Sequence, residues 1–102
     1  MGLVEDRMVE LTWKAYRGDY TETVKLAEKC GFKVEQGDGY LAIGGKVNTG
    51  IFKGMDPVSI LVCLGFAFFG SYWPWVMPKA VEKIRGKWRE EIKKQKGGLK
   101  NG

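Results

Sequence analysis

The feature that most constrains this chain is a stretch of 22 residues, 57–78, without a single charged side chain. From Val58 to Met77 its apolar residues occupy every helical face instead of one stripe, a pattern that belongs in a core or in lipid. A helix of about 20 residues, at about 1.5 Å each, is about 30 Å long, the hydrocarbon thickness of a bilayer. Asp56 and Pro57 suit its cap and first position. Tyr72, Trp73 and Trp75 gather at the far end, where amphipathic rings favour the headgroup region. Residues 56–77 therefore read as a membrane-spanning or re-entrant apolar segment, and the chain as single-pass.

The competing reading makes the same run the core of a soluble domain. Its most lipophilic part, Val58 to Phe69, has only 12 residues, a length common among core and re-entrant segments. Gly70-Ser71 and Pro74 are able to break a helix. Pro74 and Pro78 place a kink or end near Trp73 and a new helix from Pro78. Against the soluble reading stands size: a chain of 102 residues has room for one small domain with which to wrap the run.

Charge is distributed unevenly on either side. Residues 1–56 hold eight Lys/Arg and nine Asp/Glu, whereas residues 79–102 hold nine Lys/Arg and three Glu. The basic character thus belongs to residues 78–102, read as a basic amphipathic helix and flexible tail. Val81, Ile84, Trp88 and Ile92 step by three and four residues into one apolar stripe, and Gly97-Gly98 supplies a stop. A tryptophan flanked by cations is the pattern of a helix lying in a membrane interface. This assigns Tyr72, Trp73, Trp75 and Trp88 to the interface. It assigns Lys79, Lys83, Arg85, Lys87, Arg89, Lys93 and Lys94 to an anionic partner, with membrane lipid favoured by the adjacent apolar run. Packing of the stripe on the N-terminal domain or on a second copy is the alternative, and nucleic-acid binding is a third, without any reader motif.

The positive-inside tendency orients a span. Lys46 and Lys53 lie near its N-terminal side and five basic residues, Lys79 through Arg89, near the other, which puts the tail in the cytoplasm. A re-entrant wedge would leave both ends there. Met1 to Glu10 alternates charged and apolar residues and is no secretory signal.

Residues 1–55 read as a small α+β unit. Val4, Met8 and Leu11 mark a helix over 3–16 that ends at Arg17-Gly18. Asp19 and Glu22 form a capping-box pattern opening a second helix, with Tyr20, Val24, Ala27 and Cys30 along one face and Gly31 as its close. Phe32 and Val34 alternate with charged residues into a strand. Gln36-Gly37-Asp38-Gly39 turns, and Tyr40 to Ile43 is the partner strand. Lys46-Val47-Asn48 reads as a short third strand and Asn48-Thr49-Gly50 as a turn. The fold class is α+β: helix, helix and hairpin, then the apolar helix, then the basic amphipathic helix.

No chemistry-bearing constellation emerges. There is no histidine, the commonest general base and metal ligand. Cys30 and Cys63 match no metal or disulfide spacing and read as a small core residue and an apolar filler. Gly37, Gly39 and Gly44-Gly45-Lys46 fit neither phosphate-loop pattern and are better explained by hairpin turns. No cofactor, no metal and no enzymatic activity is expected. The favoured function is a small membrane-anchored accessory or adaptor protein whose head binds a partner, or a second copy, and whose tail binds anionic lipid. The alternatives are a soluble basic domain, with 57–77 as its core, that binds nucleic acid or an acidic protein, and a small holin-like membrane-perturbing protein.

Overall fold

The computed structural model describes residues 3–44 and 49–101, with side chains over 4–44 and 50–94. Helix α1 (Leu3–Tyr16) and helix α2 (Thr21–Lys29) come first. Strands β1 (Lys33–Gly37), β2 (Tyr40–Gly44) and β3 (Thr49–Phe52) follow, then α3 (Pro57–Phe69), a 3₁₀ turn (Gly70–Tyr72) and α4 (Trp73–Asn101). The chain is thus α+β in the order expected from sequence.

The first two helices end alike. Gly18 and Gly31 take positive φ, 91° and 85°. In each, the glycine N–H donates to a carbonyl three residues back and the next N–H to one five back (Gly18 to Ala15 and Asp19 to Lys14; Gly31 to Glu28 and Phe32 to Ala27). This is the Schellman closure that glycine permits. At the start of α2 the Thr21 N–H donates to Asp19 Oδ1 at 3.1 Å. The buried face of α2 centres on Thr23 and Ala27, so Cys30, at its C-cap, is exposed and is not a core residue as its spacing had suggested.

The sheet is an antiparallel meander in the order β1-β2-β3. Leu41 opposes Ile51 and Val34 opposes Ile43. Leu41, Ile43 and Ile51 are buried, while on the other face Tyr40 stacks on Phe52 with ring centroids 6.2 Å apart. The third strand expected at 46–48 falls outside the described residues. The turn expected at 48–50 is corrected in part: Thr49 and Gly50 begin β3, where Thr49 pairs with Ile43 and Gly50 with Ala42.

Helix α3 is the hub, lying against α1, α4 and β3. Its N-terminus is capped as the sequence implies: Asp56 Oδ1 accepts from the Ser59 N–H at 2.8 Å, and Pro57 opens the helix. Its end comes earlier than expected, at Phe69 and not near Trp73, because Gly70 takes φ 54° and ψ −123°. Helix α4 then begins at Trp73 and runs through Pro78, five residues before the expected start. The reason is Trp73 itself. Its indole is fully buried beneath Gly65, where any Cβ would overlap the ring, and it stacks on Phe69 at 5.8 Å. That contact folds α3 and α4 into a hairpin.

Helix α1 closes the hairpin. The pairs Asp6–Lys83 and Arg17–Glu91, with Lys87 lying 5.5 Å from the Trp13 ring between them, occur in the same order along both helices, so α1 and α4 run in the same direction. Met8, Leu11, Ile60, Leu61, Leu64, Ala80 and Ile84 fill the space among the three helices and belong to one core with the sheet residues.

Candidate membrane-facing surface

Helix α3 has an inner half and an outer half. Ile60, Leu61, Leu64 and Gly65 face the core, whereas Ser59, Val62, Cys63 and Phe66 are partly or largely accessible. The outer half is as apolar as the inner one, and Phe66 is 47% exposed. The surface continues past Gly70 onto the start of α4, where Tyr72 is 71% and Trp75 80% exposed. The helical run Pro57–Lys94 is long and apolar enough, by length and composition, to cross a membrane. A soluble core helix meets the same criterion but would be mostly buried. Here only 28% of the residues in the apolar 18-residue stretch are buried.

The four aromatic residues expected at an interface separate into two pairs. Tyr72 and Trp75 project outward from the hairpin tip. Trp73 is enclosed in the core, and Trp88 is half-buried against it, beside Trp13, Tyr16 and Arg17 of the α1 end. Sequence reasoning missed Phe66. Apart from Ser59 in its first turn, every position of α3 is uncharged and largely apolar, so no periodicity distinguishes the covered face from the uncovered one.

The seven cations also separate. Lys83 bonds Asp6, and Lys87 covers the Trp13 ring, so both serve the α1–α4 contact. Lys79, Arg85, Arg89, Lys93 and Lys94 are exposed. Arg85 and Arg89 border a shallow groove of about 480 Å³ with Met77, Pro78 and Val81. A second groove, about 390 Å³, lies between α1, α2 and the end of α3. Val4, Met8, Leu26, Phe68 and Phe69 line it, with Arg7 and Cys30 at its edges.

The apolar, stripe-like character expected of the tail helix resolves into packing. Ile84 is buried, Val81 and Trp88 are half-buried against the core, and Ile92 is 37% exposed. The Ser59 hydroxyl donates to Asp56 Oδ2 at 2.9 Å, an arrangement that caps the helix. Among the described residues no three His, Cys, Asp or Glu side chains gather as a metal site. The glycines at 37 and 39 belong to the β1–β2 hairpin; Gly45 and Lys46 fall outside the described residues. What the surface offers chemically is partitioning: the exposed aromatics Phe66, Tyr72 and Trp75 beside half-buried aliphatic residues, next to exposed cations. No family model, no curated protein and no solved structure matches this chain.

Proposed function

We propose that this chain is a membrane-associated, non-enzymatic accessory protein. Its α3–α4 tip engages lipid, its basic α4 meets anionic headgroups, and its N-terminal unit remains available to a partner. The observation that carries the reading is the incomplete coverage of the apolar run: 28% of its 18-residue stretch is fully buried, several other residues are partly buried against the core, and Phe66, Tyr72 and Trp75 are left exposed. Full burial of a large apolar side chain is worth about 1.5–3 kcal/mol. Phe66, Tyr72 and Trp75, exposed to the extents given above, hold roughly 3–6 kcal/mol of unused transfer free energy.

Five exposed cations on α4 support an anionic partner, each contributing up to about 1 kcal/mol near a charged surface and less as salt rises. They also support a cytoplasmic position for the tail. The Tyr40–Phe52 pair on the outer face of the sheet, with Phe52 exposed, is where the head would meet a partner protein.

One observation favours the soluble alternative: Ile60, Leu61, Leu64 and Trp73 belong to a core shared with the head. In that case the outer half of α3 would be covered by another protein, and the α4 cations would bind a polyanion.

The test uses two outward residues, so that the core is untouched. Phe66→Lys combined with Trp75→Lys should release the protein from vesicles of phosphatidylcholine and phosphatidylglycerol in a flotation assay. Each charge placed in the apolar region costs up to about 3 kcal/mol on the insertion scale. Helical circular dichroism should be retained. Undiminished flotation of this folded double variant would contradict the reading.

A further inference from the structure

Resting on the membrane reading, the geometry points to a closed hairpin seated in one leaflet, entering tip first, with both ends of the chain on the same side of the bilayer. The partner is a bilayer surface containing anionic lipid.

The argument is one of length and charge. Helix α3 has 13 residues and is therefore about 20 Å long, short of the roughly 30 Å of hydrocarbon. The bend at Gly70 stops it from being extended by α4. On the α4 arm the turn Gly70–Tyr72 is followed by only Trp73 to Pro78 before Lys79, a helical rise of about 9 Å. That is the depth, about 5–10 Å, to which interfacial helices bury their apolar faces.

The α1 arm is bounded at the same end. After Val4 come Glu5, Asp6 and Arg7; Asp6 bonds Lys83, and Arg7 edges the groove lined by Phe68 and Phe69. Tyr72 and Trp75, both exposed, lie on the tip side of Lys79, and Phe66 is exposed in the last turn of α3. Farther along α4, exposed Arg85, Arg89, Lys93 and Lys94 outnumber the exposed Glu82 and Glu90, leaving a net cationic flank complementary to the anionic headgroups over which it would lie.

Spanning would require a different molecule. Helix α1 packs along α3 and carries the partly exposed charges Arg7, Glu10 and Lys14. Crossing the bilayer would either draw those charges into hydrocarbon or strip α1 from α3, exposing Met8 and Leu11. One leaflet accommodates the tip with every core contact intact.

The test is topology in sealed vesicles. In a Cys30→Ser, Cys63→Ala background, single cysteines are introduced at Asp38 in the hairpin turn, Lys94 on α4, or Ser71 at the tip, all exposed positions. The intact chain is added to preformed vesicles of phosphatidylcholine and phosphatidylglycerol. With a membrane-impermeant maleimide, both Asp38→Cys and Lys94→Cys should label to the same extent before and after detergent lysis. A polarity-sensitive fluorophore on Ser71→Cys should shift to the blue on vesicle addition.

Protection of one of the two sites until lysis would show a span, overturning the one-leaflet geometry while leaving membrane association standing. Flotation with an unshifted Ser71→Cys probe would show binding by another surface and also overturn it. Failure of the unsubstituted chain to float would remove the membrane reading and this inference with it.

Discussion

At the scale of single residues, Gly65 and Gly86 are a matched contrast within the two apolar-run helices. A side chain at Gly65 meets the Trp73 indole, whereas a Cβ at Gly86 meets nothing within 4 Å. Gly65→Ala should destabilise by about 1–3 kcal/mol or more, the usual cost of overpacking a closed core. Gly86→Ala should stabilise by about 0.5–1 kcal/mol through helix propensity alone. Urea denaturation of the two variants checks both signs. The first effect was not legible in the sequence, where Gly65 is one of several small residues in an apolar run and Trp73 looks like its outward neighbour Trp75. Tryptophan is equally at home in a core and at an interface, and only the fold of the hairpin decides which ring is enclosed. Gly18 and Gly31 were legible because each follows a periodic segment at the place where a left-handed residue closes a helix.

The ion pair between Lys14 and Glu22, 2.9 Å, holds α2 to α1, and its pH dependence has a defined sign. The bond from Lys14 holds the Glu22 carboxyl below its ordinary range, and Glu22 in turn raises the Lys14 ammonium. The contribution of Glu22 is present above the unfolded carboxylate value, about 4.3, and is lost as pH falls through its lower folded value. That of Lys14 is present below about 10.4 and is lost as pH rises through its higher folded value. Glu22→Gln should therefore flatten the melting temperature against pH at both extremes while changing it little near neutrality, where exposed pairs contribute modestly. An unaltered profile would show that the pair does not couple to folding.

At the scale of elements, the instructive case is the break between α3 and α4. The run 57–78 reads as one lipophilic block, and its internal prolines draw attention to Trp73 and Pro78. The break falls instead at Gly70, whose φ of 54° is a conformation that side-chain-bearing residues adopt at a cost. Pro78 is accommodated inside α4. Sequence rules locate residues that are able to break a helix. They do not say which of several breakers is used, because that depends on the burial of Trp73 eight residues after Gly65. Gly70→Val should cost about 1–3 kcal/mol or more through backbone strain alone, since φ 54° with ψ −123° lies outside the left-handed helical region and a Cβ there has open space around it. Thermal denaturation measures it, and an unchanged melting temperature would mean that the bend does not need a positive φ. The strands show the same limit more mildly: the pairing of Lys33 to Gly37 with Tyr40 to Gly44 follows from alternation around a turn, whereas β3 begins at Thr49, in residues with stronger turn than strand signals.

At the scale of the whole molecule, polarity changes from one end of the helical hairpin to the other. The head, the sheet and α1 cover the inner half of α3, the tip is left apolar, and the cations of α4 begin one and a half turns beyond the bend. The α+β order and the charge-free run were evident from the residues. The division of the run into covered and uncovered halves was not, since a uniformly apolar helix carries no mark of which side its own protein will pack against. The membrane reading rests on that division. Its most direct test is to express the intact chain without a fusion, separate membranes from the soluble fraction, and wash the membranes at alkaline pH. The protein should remain in the washed membranes. Recovery as a soluble, monodisperse species would contradict the membrane reading.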